Sequence, residues 1–83
     1  MKALVIGYGS IGARHARILT EIGFRTTVVS SREIDFTPRA KTISEAMKRD
    51  RFDYVVVANK TAEHFRALCE LEKNGYRGVV LAY

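Results

Sequence analysis

The sequence predicts an α/β fold in which helices cover both faces of a mostly parallel sheet, and three observations carry that prediction. Short apolar runs alternate with stretches of helical periodicity along all 83 residues, and such an alternation closes into a parallel sheet through right-handed crossovers. The run Asp53-Tyr-Val-Val-Val-Ala58 is almost uniformly apolar, as suits a parallel strand buried on both faces. Between the first apolar run and the first helical stretch stands a glycine cluster, Gly7-Tyr-Gly-Ser-Ile-Gly12.

Lys2 to Ile6 reads as the first strand. Residues 10–22 follow as a helix with Ile11, His15, Ile18 and Ile22 on one apolar stripe, and Gly23 stands where a helix end takes a left-handed residue. Arg25 to Val29 is the second strand, and residues 30–40 hold the single proline, Pro38, with a short third strand expected around residues 34–36. Thr42-Ile-Ser-Glu45 resembles a capping box opening a short helix that ends near Arg49, with Thr42 or Ser44 as the cap. Residues 53–58 form a strand beside the first. Thr61 reads as the cap of a helix running to Lys73, with Phe65, Leu68 and Leu71 or Glu72 at helical spacing, and Asn74-Gly75 ends it. Residues 78–83 form the last strand. The expected sheet order is 3-2-1-4-5 with the third strand short or absent, which puts a ligand crevice at the carboxyl ends of strands one and four.

That crevice gives the glycine cluster its chemistry. A G-x-G-x-x-G pattern is weak alone, but it has a mechanism when a strand feeds it and a helix leaves it. Gly7 permits the tight turn, Gly9 lets the backbone approach a pyrophosphate, and Gly12 lets the helix pack close to the strand. Unpaired N–H groups and the helix dipole then favour phosphate at residues Gly7, Tyr8, Gly9, Ser10, Ile11 and Gly12, with Ser10 adding a hydroxyl donor or cap. A dinucleotide is the expected ligand.

Composition bounds the alternatives. The chain is 47% hydrophobic and 28% charged, ordinary for a globular domain, and no apolar run approaches the ~20 residues that span a bilayer. A single domain is expected. The amino-terminal residues lack a secretory signal pattern and Cys69 is the one cysteine, which points to the cytoplasm. On its amphipathic helix Cys69 reads as a small buried hydrophobe. The formal charge of +5 is spread along the chain without a dense basic block, so nucleic acid is not the expected partner, and a polyanionic dinucleotide fits the same sign.

Cofactor choice turns on the end of the second strand. NAD-binding chains place an acidic residue about 20 positions past the glycine turn to bind the adenosine ribose. Here that region reads Val28-Val-Ser-Ser-Arg-Glu33. Ser30 and Ser31 offer hydroxyls and Arg32 a planar fork, which suits the 2′-phosphate of NADP, while Glu33 is the nearby carboxylate that would favour NAD. NADP is expected over NAD.

Taken together, Gly7-Tyr-Gly-Ser-Ile-Gly-Ala-Arg-His15 and Val55-Val-Val-Ala-Asn-Lys-Thr-Ala-Glu-His64 resemble the nucleotide-binding half of the Gfo/Idh/MocA oxidoreductases. The first motif, G-x-G-x-x-G-x-x-H, is matched by Gly7, Gly9, Gly12 and His15. The second, close to V-x-x-A-T-P-x-x-x-H, is matched by Val55, Ala58 and His64, whereas Asn59 and Lys60 depart from Thr-Pro. The resemblance implies a Rossmann-type fold, and it implies that Ala58, Asn59, Lys60, Thr61 and His64 lie along the nicotinamide-side ribose and phosphates. It implies hydride transfer to or from a sugar- or cyclitol-like alcohol. The family's Glu-Lys-Pro motif and its C-terminal α/β domain have no counterpart here, where the sequence reads Leu81-Ala-Tyr83, so the chain resembles a cofactor-binding part without catalytic residues. Read without the family, both histidines are structural. A nucleotide-sensing module and an apo-stable folding unit are the other readings. An uncovered edge after the fifth strand predicts self-association.

Overall fold

The computed structural model describes residues 1–82. Five parallel strands, β1 (Lys2–Ile6), β2 (Arg25–Val29), β3 (Arg39–Ala40), β4 (Tyr54–Val57) and β5 (Val79–Ala82), lie in the order β3-β2-β1-β4-β5. Helix α1 (Ser10–Glu21) follows β1, α2 (Ile43–Arg49) follows β3, and a 3-10 turn at Thr61–Glu63 leads into α3 (His64–Lys73) after β4. This is the expected Rossmann-like, doubly wound arrangement.

Side-chain alternation along the strands divides the core in two. Leu4, Ile6, Val29, Val55 and Val57 face α2 and α3, packing with Ile43, Ala46, Ala67 and Leu71. Ala3, Val5, Val28 and Val56 face α1 and pack with Ala16 and Leu19. The central strands β1 and β4 are buried on both faces, which explains why their sequences are continuously apolar and not alternating.

Helix rotation departs from expectation. On α1 the buried residues are Gly12, Ala16 and Leu19, while Ile11, Ile18 and Ile22 are exposed. The cause is Gly12, where an added Cβ would overlap the Gly7 carbonyl oxygen. That close approach fixes which side of the helix meets the sheet, and the isoleucine stripe is turned away. On α3 the inward residues are Ala67 and Leu71, whereas Phe65 is 76% exposed and Leu68 is also outward. Cys69 is exposed as well, correcting the expectation of a buried thiol.

The third strand sits at Arg39–Ala40, not at residues 34–36. Ile34 and Phe36 instead pack under the loop against the α1-side core, so their apolarity reports loop burial and not strand pairing. Thr42 is the cap of α2: its hydroxyl accepts from Glu45 N at 3.1 Å, and Ser44 is not the cap. Glu45 returns the contact one residue early, accepting from Lys41 N at 3.2 Å. Thr61 is the first residue of the 3-10 turn and makes no side-chain cap, because Lys60 occupies the cap position. Tyr83, expected to close β5, lies outside the described residues.

Candidate functional site

A cleft of about 890 Å³, the largest of three cavities described, opens at the carboxyl ends of β1, β2 and β4. The reversal of strand order between β1 and β4 creates it, since α1 leaves β1 on one side of the sheet and α3 follows β4 on the other. Its floor includes Ile6, Val29 and Ala58, and the glycine turn contributes Gly7, Tyr8, Gly9, Ser10 and Ile11. From β2 come Ser30, Ser31 and Arg32, and beyond β4 come Asn59 and Lys60. Three segments far apart in sequence thus meet around one space, as expected. Gly12, Thr61 and His64 do not line it. Gly12 lies beneath the turn, and the His64 ring nitrogen Nε2 bonds the Asn59 carbonyl at 3.0 Å, holding the loop after β4 from behind.

The three motif glycines separate by what surrounds them. Gly7 has φ +98°, and a Cβ there would lie 2.9 Å from the backbone of Asn59; the chain conformation itself demands glycine. Gly12 is required by its contact with Gly7. Gly9 has φ −79°, open to any residue, and nothing lies within 4 Å of a Cβ built on it. The fold has no need of a glycine at that point. A ligand that approaches the backbone closely does.

The N-terminus of α1 is built to receive such a ligand. Ala13 N makes the first helical bond, to Gly9 O at 2.9 Å, so the N–H groups of Ser10, Ile11 and Gly12 precede the hydrogen-bonded ladder. Gly9 is the cap residue without a side-chain cap bond, and the first turn carries no acidic residue. The dipole of this 12-residue helix therefore faces the cleft uncompensated. Ser10 is the first helical residue and not a cap. Beside the glycine turn, Asn59 Oδ1 is buried without a hydrogen-bond partner, an acceptor that a ribose hydroxyl or amide N–H would satisfy. Open backbone at Gly9, free N–H groups and an orphaned acceptor together fit a dinucleotide.

At the carboxyl end of β2, Ser30 is buried and its Oγ accepts from Arg32 N at 3.2 Å. Ser30 thus shapes the turn that presents Arg32, which is exposed and lines the cleft. Glu33 is exposed and is not among the cleft walls. The chain turns at that point toward Ile34, which packs on the α1 side.

Sequence reasoning missed the opposite wall, made by Lys41, Thr42 and Ile43 before and at the start of α2, by Glu63 at the end of the 3-10 turn, and by Arg66, Ala67 and Glu70 along α3. The α3 positions follow a helical spacing that was legible, but only the packing of α3 beside α2 shows that this stripe faces the cleft. Lys41 had no local signal, because its placement depends on where β3 ends.

No helix among the described residues is long and apolar enough to cross a membrane. No curated protein and no solved structure matches the chain. Residues 1–81 match the family described as "putative NAD(P)-binding". With a turn that opens backbone to phosphate and a family match over nearly its whole length, the chain belongs to this NAD(P)-binding family and binds a dinucleotide.

Proposed function

We propose that the chain is the cofactor-holding domain of an oxidoreductase of the Gfo/Idh/MocA kind, that it prefers NADP to NAD, and that the reaction is hydride transfer to or from a sugar- or cyclitol-like alcohol. The open space over Gly9 is the observation that carries the binding part, because the fold does not call for glycine there. The preference rests on Arg32 lining the cleft while Glu33 stays outside it. In this reading the N–H groups of Ser10, Ile11 and Gly12 hold the pyrophosphate, and Ser30, Ser31 and Arg32 hold the 2′-phosphate. Ala58, Asn59 and Lys60 lie along the nicotinamide-side ribose, with Thr61 and His64 supporting their loop.

The bound nicotinamide would supply the hydride chemistry. This chain's residues bind and orient it, and substrate selection and proton transfer belong to a separate domain, as in the family it resembles. We also propose self-association through β5, an edge strand whose unpaired backbone groups remain available for pairing.

Isothermal titration with NADP, NADPH, NAD and NADH tests the cofactor reading. Tighter binding of the phosphorylated pair by about tenfold or more is expected, and Arg32→Ala removes that difference. No binding at about millimolar concentration overturns the cofactor reading. A preference for NAD overturns the roles given to Ser31 and Arg32.

A further inference from the structure

Four cations surround the carboxyl ends of β2 and β3, and the structure divides them into two kinds. Arg39 and Arg49 are committed to the fold: Arg39 Nη1 donates to the Ser30 carbonyl at 3.0 Å, Arg49 Nη1 donates to the Arg39 carbonyl at 3.1 Å, and Arg49 Nη2 pairs with Glu45. Arg32 and Lys41 are not. Both side chains line the cleft, and neither forms a hydrogen bond or ion pair with another described residue. They come from different segments, Arg32 from the turn after β2 and Lys41 from the turn between β3 and α2.

The committed pair holds the uncommitted pair in place. Arg32 N donates to Ser30 Oγ, Ser30 O accepts from Arg39, Arg39 O accepts from Arg49, Arg49 pairs with Glu45, and Glu45 Oε2 accepts from Lys41 N. An unbroken chain of contacts therefore links the backbone of Arg32 to the backbone of Lys41. Ser30 N, donating to Ala40 O at 2.9 Å, closes the same unit from below. Carboxylates that line the cleft, Glu63 and Glu70, belong to the 3-10 turn and α3, while Glu33 and Asp35 on the β2–β3 side are not in its walls. The one carboxylate beside Lys41, that of Glu45, is already paired with Arg49, and two like charges facing one space favour an anion between them.

We propose that Lys41 is a second ligand of the cofactor's 2′-phosphate, acting with Arg32, and that Glu45 is a positioning residue that fixes the Lys41 backbone. The proposal rests on the NADP reading above. The charge of the group favours it: a phosphate monoester carries about −1.5 to −2 at neutral pH, so one guanidinium leaves much of it uncompensated. The guanidinium binds as a planar fork and the ammonium as a point charge, a division that needs no shared geometry between them.

Calorimetric titration of NADP, NAD and 2′,5′-ADP into the wild-type chain, Arg32→Ala, Lys41→Ala, Lys41→Arg and Glu45→Gln tests this, with thermal unfolding as the check on folding. Lys41→Ala is expected to weaken NADP and 2′,5′-ADP roughly 10- to 100-fold and to change NAD less than about twofold, and Lys41→Arg to restore most of the loss. Glu45→Gln should lower the NADP-to-NAD affinity ratio, and should lower it no further when Lys41→Ala is already present. Equal weakening of NADP and NAD by Lys41→Ala overturns the proposal. So does an unchanged NADP affinity in Lys41→Ala beside a loss in Arg32→Ala, an outcome that leaves the NADP reading standing. If neither alanine variant affects NADP, or the wild-type chain does not prefer it, that reading falls together with the proposal.

Discussion

At the scale of single residues, the three glycines of one motif answer to different demands, and substitution should separate them. Gly12→Ala forces a Cβ into the Gly7 carbonyl, and overpacking of this kind costs about 1–3 kcal/mol of stability. Gly9→Ala meets no atom within 4 Å and keeps an allowed backbone, so its unfolding free energy should stay within about 0.5 kcal/mol of wild type. Its nucleotide affinity should nevertheless fall by about tenfold or more, because the methyl group occupies the approach to the helix N–H groups. Urea unfolding and calorimetry on the two variants read these effects independently. A Gly9→Ala chain that binds as wild type would remove the main support for phosphate contact at that turn.

At the scale of elements, strand boundaries in the centre of the sheet were legible and helix orientation was not. The runs of β1 and β4 mark themselves, since burial on both faces leaves little but apolar residues, and β2 is marked by its β-branched Thr26-Thr-Val-Val29. The α2 start was equally legible through Thr42 and Glu45. Rotation of α1 follows from an absent side chain at Gly12, a signal that a count of isoleucines outweighs. β3 escaped because two residues paired with Val28 and Val29 make no periodic pattern at all. The α3–β5 turn gives a prediction of its own: Tyr76 OH donates to Val79 O at 2.9 Å and secures the edge strand. Desolvation, and then the charge of Asp53, raises the Tyr76 pKa above its ordinary 10.0. The folded state therefore holds this proton more tightly than the unfolded chain, so its contribution to stability is complete below that value and is lost as pH rises past it. The urea midpoint should fall above pH 10.0, and Tyr76→Phe should fall less steeply over the same range.

Over the whole molecule, apolar side chains stay exposed on both faces, Phe65 and Leu68 on α3 and a second group on the α1 side. Val79 and Leu81 are exposed on β5, opposite to Val80, which packs with the α2–α3 core, so they share the sheet face that carries α1 with its outward Ile11, Ile18 and Ile22. Sedimentation equilibrium should show concentration-dependent association, and Leu81→Lys should reduce it without loss of nucleotide affinity. A wild-type chain that stays monomeric at every concentration contradicts association through β5. As for the site, its glycine rim and the Ser30 to Arg32 end were readable because each motif is local. The wall from Lys41 to Glu70 was not, because it exists only once α2 and α3 lie side by side.

The short connection between β2 and α2 has an engineering consequence. Arg32 and Lys41, the groups assigned to the phosphate that distinguishes the two cofactors, both fall within residues 30–41, whereas the glycine turn touches what the cofactors share. If those two groups read that phosphate, as proposed, cofactor preference is carried on an exchangeable cassette of sequence. The exchange is constrained: the segment includes β3, which has to keep its pairing with β2, and the Phe36 ring lies 6.0 Å from that of Tyr8, so a transplanted segment also has to keep an aromatic anchor there or the cassette comes loose from the turn it serves.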